Sequence, residues 1–577
     1  MGYSDAHRSS IRERSGSLNR TLLLAGLVFA LALASRIALI GLPPIYDELY
    51  HLLAALSLSE DGTFAILDGE YRRGATLTRL VALSFELSGG PHVAAARFLP
   101  SVLPGAALVL LVFFWVRRVA GFPAAAIVAA FMLLWPNGIQ VSQYVRFYAL
   151  QGLAFVFGAI CIHDLLERRT SLWWGVTLGV VGLCALLFAL HLQTLTIVGC
   201  AALGLWIFLA HGLDWLRRFR MVRLTLVAGL ALITVCLVSG AFDTLLAQLW
   251  KTYNWEPWPA QNDTTFYHRY FRDAYPTFWS LFPIAALIAL HARPRVALFC
   301  ILLFGVSFVA LSFGGLKNIR YLYSVMPFFF ATWAIALVHL AGPFLRYLSG
   351  IARSLFTPFL PDRWSKRISS GLLALAFGFI FATNAAFERS ADLILGTETQ
   401  LLLDKNRWEW TELWPLARPW LEEEAVVISA EEMRTVQWLG DFDFALNRPR
   451  FSELIYSYGP ETRPFALDFR TGRPLVPLVE DLRPVMACKP RGIVVSNAPM
   501  IDSELARELS QMALGLGATV ETRSGAGASL LGWRHPVGAA LPACPDLPGL
   551  ASGTGAAARL LSGESQARHV ISASALR

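Results

Sequence analysis

Eleven apolar runs, each about the length of a bilayer crossing, constrain this chain more than any other feature. They fall at about 21–42, 97–116, 124–142, 148–166, 172–190, 194–211, 224–242, 276–291, 296–313, 321–341 and 370–387. A helix needs ~20 mostly apolar residues to cross hydrocarbon, and few structures other than helices can satisfy their backbone there. The first run is too long for a cleaved signal peptide. Composition agrees: 55% of the 577 residues are hydrophobic and 16% charged. So little polar surface cannot coat several soluble domains, and disorder, a coiled coil or a small disulfide scaffold are excluded. No internal repeat is visible. The expected fold is mainly α, a polytopic helical membrane protein of about 11 spans.

Charge placement orients it. Residues 1–387 carry a net +13 and residues 388–577 a net −5. Arg8, Arg12, Arg14 and Arg20 precede the first run, and clusters follow at Arg117-Arg118, Arg168-Arg169, Arg217 to Arg223, Arg293-Arg295 and Arg346 to Arg367. All fall on one side of an eleven-span arrangement, which the positive-inside rule makes cytoplasmic. The N-terminal segment 1–20 is then cytoplasmic, 21–387 is the membrane domain, and the first outer loop is 43–96. The stretch from Ala75 to Leu80 and beyond is half apolar; as a span it would flip every later arginine cluster. It is read as an amphipathic helix at the outer interface. The basic balance reports juxtamembrane arginines and requires no nucleic acid; membrane lipids are the expected surroundings. The 44 Arg against 5 Lys hint at a GC-rich bacterium, which makes the membrane an inner membrane and the outer side periplasmic.

The polar tail alternates β-like runs (Ala425 to Ser429, Gly492 to Val495) with polar helical stretches such as Asp502 to Leu516. That pattern reads as a C-terminal extracytoplasmic α/β domain over 388–545. The Gly/Ala/Ser-rich stretch 546–577 is expected to be disordered. Cys488 and Cys544 can form one disulfide if the tail is extracytoplasmic, although their spacing leaves the geometry open. The other five cysteines lie in apolar runs and match no metal motif.

Carboxylates gather in the first outer loop: Asp47, Glu48, Glu60, Asp61, Asp68 and Glu70. The sharpest group is Tyr46-Asp47-Glu48-Leu49-Tyr50-His51, just after Pro43-Pro44. Adjacent carboxylates repel, so one is expected to keep a raised pKa and suit general-base work; the plain alternative is a capping or solvated acidic turn. Two further outer turns are Ser142-Gln143-Tyr144-Val145-Arg146-Phe147-Tyr148 and Lys317-Asn318-Ile319-Arg320-Tyr321. Cations on the outer face suit the grip of a phosphate, or they are snorkelling anchors. Arg36, inside the first run, can snorkel to the same place. His191 sits where a satisfied helix-end residue is common. There is no HExxH, Cys-pair or first-loop Asp-x-Asp signature, so no metal site or cofactor is expected, with a divalent cation left open.

Together these motifs resemble the GT-C glycosyltransferases, specifically the protein mannosyltransferase (family 39) and lipid A aminoarabinose transferase group. The resemblance rests on the Asp-Glu pair after the first run, Ala96-Arg97-Phe98-Leu99-Pro100-Ser101 with Gly105, and Arg117-Arg118-Val119-Ala120-Gly121. The Ser142–Tyr148 turn and Arg320-Tyr321 complete it, in order over roughly 21–330. It implies an inverting transfer of a sugar from a polyprenyl-phosphate donor to an envelope lipid, polysaccharide or protein acceptor. Asp47 would be the catalytic carboxylate, assisted by Glu48. Lys317, Arg320, Arg146 and Arg73 would hold the donor phosphate, and Tyr46, His51, Tyr148, Tyr321 and His191 would line the pocket. One departure stands out: where the aminoarabinose enzymes have a Lys-Pro-Pro-like stretch, this chain reads Tyr71-Arg72-Arg73-Gly74-Ala75, with Arg73 as substitute. The alternative class is a transporter or flippase of polyprenyl-linked glycans, which would place its charges near the midplane.

Overall fold

The computed structural model describes residues 22–169, 171–219, 254–356, 381–397, 410–497, 503–525, 527–547 and 555–561, with scattered positions at 224–251 and 371–379. The chain is mainly helical. The loop expected to be outer follows α1 (Leu22–Ile37) and contains α2 (Tyr46–Asp61), the hairpin β1 (Ala65–Ile66) and β2 (Gly69–Glu70), and α3 (Ala75–Ser88). Then come α4 (Val93–Ala120), α5 (Phe122–Leu133), α6 (Pro136–Ser142), α7 (Tyr148–Glu167), α8 (Leu172–Leu192) and α9 (Thr196–Gly212). The membrane part continues with α10 (Phe282–Ala292), α11 (Pro294–Phe313) and α12 (Met326–Phe356). Among the described residues, five helices are long and apolar enough to cross a membrane, or six if α5 and α6 count as one broken span. Three more (α1, α9 and α10) are apolar but shorter. The runs expected at 224–242 and 370–387 are described only in part, and the segment 1–20 lies outside the described residues.

The expected continuous run 124–142 is bent by 62° between α5 and α6. Pro136 has no N–H to offer the carbonyl of Met132, and it forces Trp135 into extended backbone (φ −94°, ψ 106°). Inside an apolar bundle that orphaned carbonyl needs another donor. Arg36 supplies it, its Nη2 donating to the Met132 carbonyl at 3.4 Å. The Ser390 hydroxyl serves the Leu134 carbonyl in the same way at 2.7 Å. Arg36 is thus spent on the helix break, not on the outer rim as expected. Gly105 permits the close approach of α4 to α6, because a Cβ there would collide with the Ser142 side chain.

The amphipathic reading of the first outer loop matches α3. Leu77, Val81 and Phe85 are buried while Arg79, Leu83 and Leu87 are exposed. At fourteen residues the helix is also too short to span.

The tail holds a six-stranded sheet in the order β5-β4-β3-β6-β8-β7. Its strands are β3 (Val426–Ser429), β4 (Phe444–Leu446), β5 (Leu475–Val476), β6 (Arg491–Asn497), β7 (Thr519–Ser524) and β8 (Ala528–Arg534). The first four are parallel and the last two pair antiparallel. From β3 the chain builds outward through β4 and β5, then returns to the other side of β3 with β6. The order therefore reverses between β3 and β6. Helices Leu413–Leu421, Glu432–Trp438, Arg448–Tyr458 and Glu504–Gly515 cover the sheet.

One apolar core is shared between tail and outer loop: Leu49, Leu53 and Phe85 cluster with Trp410, Val427 and Ile493. The hairpin is clamped in the same way. The Glu70 amide donates to the Phe469 carbonyl at 3.0 Å. Gly69 lies so close to the Arg470-Thr471 backbone that any side chain there would collide. Cys488 and Cys544 are joined by a disulfide. The stretch expected to be disordered contributes a helix, Ala556–Leu561, with Ala556, Ala557 and Leu560 buried in the tail core. Its small alanines allow close packing, and the Ala556 amide donates to Asp443 at 2.7 Å. The rest of 548–577 lies outside the described residues.

Candidate active site

Both acidic residues of the Tyr46–His51 motif sit in the first turn of α2, and the helix turns them apart by about 100°. Glu48 points inward and is fully buried. Its Oε1 accepts from Arg97 Nε at 2.8 Å and from the Val145 amide at 2.8 Å. Its Oε2 accepts from Arg97 Nη2 at 2.7 Å and from the Ile45 amide at 2.9 Å. Arg97 also donates to the carbonyls of Ile40 and Leu42, which the chain turn after α1 leaves without helical partners. This buried pair pins together the end of α1, the start of α2, the start of α4 and the 142–148 turn.

Asp47 points the other way, into a cluster of cations. Its Oδ2 lies 2.9 Å from Arg320 Nη1 and 3.7 Å from Arg146 Nη2. Arg146 also donates to the Asp47 carbonyl at 3.1 Å. Burial pushes the Asp47 carboxyl upward, but the charges of Arg146, Arg320 and Arg73 outweigh it and hold the group well below the usual carboxylate range. Arg320 lies over the Tyr148 ring at 5.2 Å, and Tyr148 is 6.1 Å from Tyr321. Three turns distant in sequence thus converge on Asp47.

His51, one turn further along α2, is buried with Nδ1 3.2 Å from Thr78 Oγ1. Burial, then Arg146 and Arg73, push it well below the ordinary imidazole value, so the ring is neutral. Tyr46 leaves the membrane part and donates to Glu432 of the tail at 2.6 Å. His191 is further out, with Nε2 3.1 Å from Thr76 Oγ1 on α3. Lys317 does not join the cluster. Its ammonium donates to the carbonyls of Leu311 and Gly314 at the C-terminal end of α11, where unpaired backbone acceptors attract cations.

A cavity of about 590 Å³ opens above Asp47 between the two parts of the chain. Tyr46, Asp47 and Tyr50 line it from α2, and Asn447, Arg450 and Arg470 from the tail. Sequence reasoning missed every tail residue here; no local signal marks them, because long-range strand order brings them to the site. Arg97 did carry a signal, as a cation at the start of an apolar run. Among the described residues, no three His, Cys, Asp or Glu side chains lie close enough to hold a metal.

In fold, the helical bundle with its α/β tail is similar to solved membrane proteins of the GT-C type. A crystal structure of ArnT from Cupriavidus metallidurans in the apo state matches with a TM-score of 0.53 and 14% identity, over 90% of this chain and 98% of that one. The same enzyme bound to undecaprenyl phosphate matches at 0.50, with the same identity and coverage. The archaeal oligosaccharyltransferase AglB from Archaeoglobus fulgidus, in complex with an inhibitory peptide and a dolichol-phosphate, gives 0.46 at 12% identity, over 89% and 74% of the two chains. No protein-family model and no curated protein matches the sequence.

Proposed function

We propose that this chain is a membrane glycosyltransferase that moves a sugar from a polyprenyl-phosphate donor to an envelope acceptor. The observation that carries the reading is Asp47: a carboxylate held by Arg320 and Arg146 beneath a cavity roofed by the tail. The undecaprenyl phosphate bound to the ArnT structure supports a lipid-phosphate donor.

In this reading Arg320, Arg146 and Arg73 receive the donor phosphate. Lys317 is left out, its ammonium being engaged at α11. Asp47 takes the proton of the acceptor hydroxyl as its oxygen attacks the anomeric carbon. The bond from that carbon to the phosphate oxygen breaks, configuration inverts, and polyprenyl phosphate leaves with its negative charge matched by the guanidiniums. A carboxylate whose pKa is held low is a poor base. The incoming phosphate claims the same arginines, which releases Asp47 toward the acceptor. Glu48 acts as a positioning residue, since its oxygens are engaged by Arg97 and two amides.

We place the reaction on the periplasmic face of a bacterial inner membrane. The disulfide suits an oxidising compartment, and the arginine clusters favour a cytoplasmic location for the opposite end of the bundle. The site lies at the rim of the bundle, which favours an enzyme over a transporter with midplane charges.

The test is Asp47→Asn in the purified protein. Transfer from a polyprenyl-phosphate sugar is expected to fall ~10²–10⁴-fold, the usual contribution of a general base, in protein that still folds but unfolds at a lower temperature, because Arg320 and Arg146 lose their counterion. Transfer at the wild-type rate would overturn the assignment.

A further inference from the structure

We propose that the carboxyl edge of the tail sheet is the acceptor subsite and that the acceptor presents a saccharide; the inference rests on the glycosyltransferase reading. In open α/β sheets, ligands lie beyond the carboxyl ends of the parallel strands, where the strand order reverses. That reversal lies between β3 and β6. The residues that follow β3 (Ala430, Glu431, Arg434) and β4 (Asn447, Arg448), with Ser496 near the end of β6, line the cavity that also contains Asp47. The sheet edge and the carboxylate therefore share one space.

The chemistry of the wall selects the ligand class. Four guanidiniums (Arg434, Arg448, Arg450 and Arg470) are interleaved with Glu431, Glu453 and Asp47. A site for a bare phosphate would carry cations in excess; this one is nearly balanced. Planar guanidinium, carboxylate and amide groups bind in pairs to neighbouring hydroxyls, which offer both donors and acceptors. Several of these groups are already fixed in orientation. Arg450 is held by Asp468 at 2.8 Å, and Arg470 by Glu453 at 3.2 Å and by the Tyr50 hydroxyl at 3.1 Å. Asn447 is held against Glu432 at 3.0 Å. Such preorganisation lowers the cost of binding a polar ligand. Trp258 adds an exposed ring suited to the apolar C–H face of a sugar. Arg448 is exposed and, among the described residues, its guanidinium has no ion-pair partner. The cavity of about 590 Å³ falls within the ~300–1,000 Å³ of small-molecule sites, with room for more than one sugar ring.

The test uses the full chain in lipid nanodiscs, with Arg448→Ala and Trp258→Ala chosen at exposed positions so that folding is retained. Binding of neutral mono- to tetrasaccharides, inorganic phosphate and unglycosylated peptides is measured alongside undecaprenyl phosphate. At least one saccharide is expected to bind, and each variant to weaken it tenfold or more while undecaprenyl phosphate affinity stays constant. The inference is overturned if no saccharide binds, if the variants leave saccharide binding intact, or if phosphate or peptide occupies the crevice instead. Failure of undecaprenyl phosphate to bind overturns the glycosyltransferase reading itself, whatever the crevice takes.

Discussion

Opposite ends of α7 carry clusters of the same residue types, arranged inside out with respect to each other. At the C-terminal end Asp164 and Glu167 are the buried members, with side chains 6% and 10% exposed. Their partners Arg118, Arg168 and Arg295 are 40%, 49% and 74% exposed. At the N-terminal end Arg146 and Arg320 are only 5% and 14% exposed, while Asp47 is 34% exposed. A buried acid with solvated arginines ties helix ends together and leaves nothing to react. Two buried cations behind one accessible carboxylate are costly to hold apart from water, and they present a charge to a cavity. Which partner is buried, more than the presence of an ion pair, separates a brace from a reactive site.

The largest effect on folding is expected at Glu48, the neighbour of Asp47 that belongs with the braces. Both partners of the Glu48–Arg97 pair are fully buried. Glu48→Gln leaves the Arg97 charge without its counterion, which typically costs ~3–5 kcal/mol. Thermal unfolding in detergent should show a large drop or a failure to accumulate folded protein. If Glu48→Gln instead unfolds normally and loses transfer, Glu48 acts with Asp47 in the chemistry and the contrast between them collapses.

A smaller effect concerns pH. In the free protein, arginine charges hold Asp47 below the ordinary aspartate value of ~3.9. The group stays ionised in the folded protein as pH falls through the usual carboxylate range; its contribution to stability is full above the unfolded value of ~3.9 and is lost progressively as pH falls from there through the lower folded value. The acid limb of kcat/KM, which reports the free enzyme, should lie below ~3.9 for the same reason. In the proposed reaction the donor phosphate shares Arg320 and Arg146, so Asp47 should rise and the acid limb of kcat should appear at higher pH by about one unit or more. Coincident limbs would show that the donor does not draw on these arginines.

How much of this was legible in the sequence depended on how local each signal was. Asp47, Arg146 and Arg320 stood out because charge is scarce in an apolar chain, and each lies in a short turn beside a membrane helix. The separate fates of Asp47 and Glu48 were not legible, since adjacency does not reveal which side of a helix faces the core. Lys317 looked equivalent to Arg320, but it follows a helix end whose free carbonyls captured its ammonium. The broken span was written in Pro136, though its repair by Arg36 and Ser390 requires contacts over 96 and 256 residues. The tail crevice was the least legible part, because its lining is assembled by strand order and no stretch of sequence contains it.

The smallest effect should come from Asp164, and it tests the contrast from its silent side. Asp164 accepts from Arg118 at 2.6 Å and lies 3.7 Å from Arg168, both arginines being solvated. Asp164→Asn keeps the shape and one acceptor oxygen while the arginines turn to water. Partly exposed ion pairs of this kind contribute up to ~1 kcal/mol, so a shift of a few degrees at most is expected in the unfolding temperature. Transfer should stay within about twofold of wild type, below the ~0.4 kcal/mol such a ratio represents. Asp47→Asn, at the other end of the same bundle, should differ in transfer: a large loss, in protein that still folds although Arg146 and Arg320 have lost their counterion. If Asp164→Asn lowers transfer as far as Asp47→Asn does, the two ends are coupled and burial of the acid does not distinguish a brace from a reactive carboxylate.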